Sequence, residues 1–110
     1  MKVIPGESRE NLHVAAWARI GDPTSYDVYI GLSDTDTEEP TEWIQGGWLE
    51  ETYNVNADGQ YRQAWVAYVL FSGSGNGGDL QADAGDYWVW ISMTDATQNV
   101  KRPVEKIAVT

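Results

Sequence analysis

One histidine and no cysteine narrow the chemistry open to this chain of 110 residues. His13 could serve as a base, but no serine–acid pairing accompanies it, and a histidine alternating with apolar neighbours reads as a partly exposed strand residue. The absence of cysteine removes thiol catalysis, disulfides and cysteine-based zinc sites. Paired carboxylates for glycoside hydrolysis need a cleft that fixes their separation, and the acids here cluster in loops instead. Asp34, Asp36 and Glu38, at alternate positions of an acidic stretch, are candidate calcium ligands. They lack the spacing and sixth-position glycine of an EF-hand, so a solvated acidic turn is the plainer reading. The glycine-rich stretch Ser72–Gly78 lacks the Gly-Lys-Ser/Thr ending of a phosphate cradle and opens no helix, so it reads as a flexible surface loop. The expectation is a protein with no catalytic residues, no cofactor and no resident metal.

The more telling residues are aromatic. Trp17, Tyr29, Trp88 and Trp90 fall on the non-core side of alternating stretches. If their strands are neighbours, the rings form a stripe across one sheet face. Trp and Tyr offer large contact area with few rotors to immobilise, which suits a protein–protein surface. A flat strip of this kind could also stack on sugar rings. The competing structural account is that loops of the same chain cover the rings, or that they pair across strands.

The elements that must position these groups are strands. Residues 85–95 alternate, with Tyr87, Val89, Ile91 and Met93 on one face and Asp86, Trp88, Trp90, Ser92 and Thr94 on the other. Such a strand suits the centre of an antiparallel sheet, with Pro103–Thr110 returning beside it and placing Ile107 and Val109 in the core. Leu12, Val14, Ala16, Ala18 and Ile20 mark an earlier strand, and Tyr26, Val28, Ile30 and Leu32 another. Gly21-Asp22-Pro23-Thr24, Asp58-Gly59 and Asp95 read as turns. Trp43–Leu49, interrupted by Gly46 and Gly47, reads as a short bulged or edge strand. Tyr61–Phe71 is apolar on both faces, as for a strand buried on both or in a contact. Residues 1–11 read as an N-terminal arm or edge segment, with Ile4 and Pro5 available to a neighbouring subunit, and 12–110 as one sandwich domain. Together these predict an all-β protein, an antiparallel β-sandwich of about six to seven strands.

Charge sets limits on partners. Seventeen acidic residues against seven Lys and Arg give a net charge of −10. That balance repels phosphate and argues against nucleic acid and against an anionic membrane surface. The first residues lack the apolar core of a signal peptide, and the longest apolar run, Ala64–Phe71, is far short of a membrane span. Synthesis and assembly in a cytoplasm are expected.

The ordered set of motifs resembles small proteins from the head-gene region of tailed phages that infect actinobacteria. The segments that carry the resemblance are Gly85-Asp86-Tyr87-Trp88-Val89-Trp90-Ile91-Ser92-Met93-Thr94-Asp95, then Pro103-Val104 and the closing Ile107-Ala108-Val109-Thr110. Ile4-Pro5 with Glu10, Asp22-Pro23-Thr24-Ser25, and Glu42-Trp43 with Trp48-Leu49-Glu50 follow the same order. The chain departs from the pattern at Asn99–Arg102, in its fuller acidic loop 34–42, and at Gln45-Gly46-Gly47. What the resemblance implies is a non-enzymatic virion structural protein with an immunoglobulin-like sandwich, a head accessory or decoration protein docked on the major capsid protein. It supplies no catalytic or metal residues. A carbohydrate-binding module on the virion surface, a head–tail connector or a minor tail component are the alternatives, and a homo-oligomer is compatible with each.

Overall fold

The computed structural model describes residues 1–17, 23–57, 60–94 and 99–110, and at 51, 53, 55–57 and 60–62 the backbone only. The expected turns at Gly21-Asp22, Asp58-Gly59 and Asp95 lie outside the described residues. Alternation of apolar and polar side chains produces strands throughout, and the one helical piece among the described residues is a 3-10 turn at Pro23–Ser25. The strands are β1 (Lys2–Ile4), β2 (Arg9–Ala16), β3 (Asp27–Ser33), β4 (Ile44–Gln45), β5 (Gly47–Ala57), β6 (Gln60–Gly73), β7 (Leu80–Ala82), β8 (Gly85–Thr94) and β9 (Asn99–Val109).

They form two sheets packed face to face, an all-β sandwich. One sheet has the order β1-β9-β8-β3-β4; the other has β2-β6-β5, with β7 also on β6. We call these the nine-eight-three sheet and the two-six-five sheet, after their main strands. The strands in excess of the six or seven expected are the two- and three-residue pieces β1, β4 and β7, too short to leave a periodic signal.

The alternating strand expected over 85–95, now β8, lies where its pattern puts it. β8 is flanked by β9 and β3, both antiparallel, with Tyr87 opposite Ile107 and Ile91 opposite Ile30. Its inward residues Val89, Ile91 and Met93 meet Leu12, Val14, Ala67, Val69 and Phe71 of the other sheet in one core. A bulge between Val89 and Trp90 lets β9 pass Val104 without losing the hairpin.

Chain crossings between sheets need close approach, and glycine supplies it at Gly46. Its N–H donates to the Val28 carbonyl of one sheet at 2.9 Å. A Cβ there would lie 2.4 Å from the Tyr68 carbonyl of the other. The glycine-interrupted stretch 43–49 is therefore the hinge of the sandwich, with β4 on one side and β5 on the other.

Of the two readings of residues 1–11, the edge segment is the one seen at 2–4, where β1 pairs in parallel with β9 at the margin of its sheet; β2 begins at Arg9 rather than at Leu12. The stretch 72–78 is a tied loop. Ser72 is fully buried, its hydroxyl accepts the Gly78 N–H at 2.9 Å, Gly75 N–H donates to Gln81 Oε1, and Asn76 Nδ2 donates to the Gly6 carbonyl at 2.7 Å.

Candidate functional site

The four rings expected to share a face are divided by the topology. Tyr29, Trp88 and Trp90 stand on the outer face of the nine-eight-three sheet, where Gly31 is opposite Trp90, Ser33 opposite Trp88 and Ser92 opposite Tyr29. Trp17 follows β2 in the other sheet, with its ring 4.5 Å from the Arg102 guanidinium, a cation–π stack. Alternation identifies the side of a strand on which a residue sits and says nothing of which sheet the strand joins. The continuous stripe does not form.

Nor are the three remaining rings equally open. The acidic stretch 34–42 folds back as a roof over the sheet. The Trp90 indole N–H donates to the Thr35 carbonyl at 3.1 Å, and Trp90 is only 6% exposed. Pro40 is buried against Gly31, and Glu39 reaches Lys101 of β9 at 3.3 Å. Inside the roof, the Thr35 hydroxyl accepts the Glu38 N–H at 3.0 Å, and the Thr35 N–H donates to Ser33 Oγ. Trp90 is thus a covered residue, not a docking residue. Trp88 and Tyr29 stay half-buried on either side of it.

Ile4 is corrected as well. It is fully buried in the core, because its place on β1 turns the side chain inward beside Val109. Pro5 is exposed, and its carbonyl accepts the Ser8 N–H at 3.1 Å, closing the turn that leads to β2. Of the calcium candidates, Asp34 and Glu38 border one hollow and Asp36 does not. Asp34, Asp36 and Glu38 are all exposed, and among the described residues no three acids or histidines are placed to hold a metal ion. His13 lies exposed on the outer face of the two-six-five sheet, opposite Tyr68.

The roof creates a feature that the alternation pattern hides. At the end of the sandwich two adjoining hollows, about 200 and about 280 Å³, share Leu32, Thr41 and Tyr87. Asp34, Glu38 and Glu39 rim the first, and Glu42 and Asp83 the second. The lining is mostly polar, and its apolar part comes from Leu32, Pro40, Leu80, Ala82 and the Tyr87 ring. The Tyr87 hydroxyl donates to the Asp83 carbonyl at 2.9 Å. Burial, and then the carboxylates of Asp83 and Asp34, hold that phenol above its ordinary value of 10.0. A negative potential at the ring has this effect because it disfavours a second negative charge. The same potential attracts a Lys or Arg side chain, whose stem can lie on Leu32 and Tyr87 while its head meets the rim. Alternation alone places Tyr87 on the core face of its strand, with Val89, Ile91 and Met93. The cue for its second role is the run of acids on both sides of it, Asp83 and Asp86, together with the acidic loop.

No protein-family model, no curated protein and no solved structure matches this chain.

Proposed function

We propose that this chain is a non-enzymatic structural protein of a phage virion, a head accessory or decoration protein that docks on the repeated lattice of the major capsid protein. The ordered motifs described above support the virion assignment. The observation that carries the docking mode is the acid-rimmed groove floored by Leu32 and Tyr87, with half-buried Trp88 the next residue along β8. An apolar centre inside a charged rim is the anatomy of a protein–protein contact. Here the complementary lattice surface presents an apolar anchor flanked by Lys or Arg, and the rim sets register and encounter rate more than raw affinity.

A sugar-stacking strip is disfavoured by the roof, because covering Trp90 interrupts the row between Trp88 and Tyr29. Pull-down against actinobacterial wall polysaccharides is accordingly expected to be negative.

The test uses purified particles of the phage that encodes the chain. Trp88→Ser combined with Glu38→Gln and Glu42→Gln should leave the free protein folded and strip it from particles. Wild-type occupancy should fall with added salt, since the rim is solvent-screened. Full occupancy by the triple variant would place the contact elsewhere. A wild-type copy number of about six or twelve, the count of a symmetric ring, would assign the chain to a connector rather than a lattice.

A further inference from the structure

We propose that β2 is a self-association edge, through which two copies of this chain pair antiparallel and join their two-six-five sheets into one. Among the described residues, several strand edges of the two sheets have no neighbouring strand. A strand edge presents free N–H and C=O groups that template pairing, and folded proteins blunt such edges by shortening, bulging, proline or charge. Three of the edges here carry such a device. β1 is three residues long and is followed by Pro5, which has no N–H to offer. β4 is two residues long and leaves its sheet at Gly46. β5 has its register broken between Trp48 and Thr52.

β2 carries only charge, and that only at its first two residues, Arg9 and Glu10. It runs eight residues in unbroken register with β6, from Arg9 opposite Ser72 to Ala16 opposite Trp65. It contains no proline, glycine or lysine, and from Asn11 to Trp17 no Asp, Glu, Lys or Arg. That window is conspicuous in a chain of net charge −10. The outer face beside it is also poor in charge, with half-buried Ala15, Tyr68 and Leu70 around Val66, which is 6% exposed and points away from the main core.

A second copy is the occupant that this edge fits, because an antiparallel strand meets itself across a two-fold axis. To keep Leu12, Val14 and Ala16 on the core side in both copies, even-numbered residues must oppose even-numbered ones. Centring the axis on Leu12 places Glu10 opposite Val14 and Arg9 opposite Ala15. No like charges face each other across the junction. Centring it two residues' width toward the N-terminus would set Glu10 against Glu10, which disfavours that register.

Sedimentation equilibrium of the full chain, from low micromolar to several hundred micromolar, should show the mass approaching twice 12.2 kDa. The register supplies a paired test with opposite signs. Ala15→Lys sets a cation against Arg9 of the other copy, and Ala15→Glu sets an anion there. Each substitution counts twice across the axis, so the dissociation constant should rise about ten-fold for Ala15→Lys and fall about ten-fold for Ala15→Glu. Melting curves at low concentration check that both variants fold. A wild type that stays monomeric throughout, or two variants that shift association in the same direction or not at all, would overturn the proposal. Both measurements are independent of particle occupancy, which tests the docking groove alone.

Discussion

Substituting Gly31 by Ala should lift the acidic roof from Trp90. Gly31 is buried in β3 and its backbone has no positive φ, so glycine is not there for a turn. It is there for clearance. A Cβ at this position would lie 2.7 Å from the Glu42 carbonyl, 2.7 Å from Pro40 Cβ and 2.8 Å from Pro40 Cγ. Restoring ordinary contact at about 3.4–4 Å requires the roof to move by roughly 1 Å. Overpacking of this kind costs about 1–3 kcal/mol. Replacing Gly by Ala returns about 0.4–1 kcal/mol by restricting the unfolded chain, so a net loss of about 1–2 kcal/mol is expected. For a chain of this size that lowers Tm by roughly 4–8 °C. The spectroscopic consequence is more specific than the melt. Trp90 should become accessible, giving a red-shifted emission and stronger acrylamide quenching, and Gly31→Ala in a Trp90→Phe background should show much less of that change. A Tm at or above wild type with unchanged quenching would refute the seating of Pro40 and Glu42 on Gly31.

Three further outcomes follow from neighbouring geometry. Gly46→Ala should cost about 3 kcal/mol by chemical denaturation, the upper end for overpacking, because the clash at 2.4 Å is with backbone that both sheets hold in place. Trp90→Ser should lose about 3–5 kcal/mol, as for other large-to-small core changes, whereas Trp88→Ser, on the half-open part of the same face, should lose far less. Glu105→Gln should raise stability at neutral pH. Burial raises the Glu105 carboxyl above its ordinary 4.5, with the Lys2 ammonium and the N-terminus pulling the other way. A folded-state value above the unfolded one means that the group's stability is fully present below the unfolded value and is lost as pH rises through the folded one. The advantage of the Gln variant should therefore shrink to nothing as the pH falls below about 4, below both values of the carboxyl, when paired melts of variant and wild type are compared.

Much of the fold was legible because the signal for it is local. Period-two alternation in 85–95, 103–110 and 26–32 names the inward residues directly, and the structure buries Val89, Ile91, Met93, Val28, Ile30, Ile107 and Val109 accordingly. The hairpin of β8 and β9 is a contact between sequence neighbours. The site was less legible, since its determinants are non-local. Nothing in the run around Trp90 announces that residues 34–42 will lie over it, for that depends on Gly31 leaving space on the adjacent strand and on Lys101 meeting Glu39. Ile4 was misread for a related reason: a three-residue strand has too few positions to show a period. The double-sided apolar pattern of 61–71 carried a real distinction, now resolved into a core face with Ala67, Val69 and Phe71 and an outer face with Val66, Tyr68 and Leu70.

The acidic loop has two roles that separate chemically. Its backbone and Pro40 form the roof, through the Thr35 carbonyl and the contact with Gly31, while its carboxylates point outward and rim the groove. The ion pair that joins roof to sheet among the described residues, Lys101 with Glu39, is exposed on both sides and should contribute no more than about 1 kcal/mol. In the proposed docking mode, stability and partner recognition draw on different atoms of the same nine residues. Neutralising Glu38 and Glu42 should leave the roof seated on Trp90 and weaken docking, whereas Gly31→Ala should unseat the roof and leave the total rim charge unchanged. A docking defect from the second change but not the first would mean that the shape of the groove, rather than its charge, selects the partner.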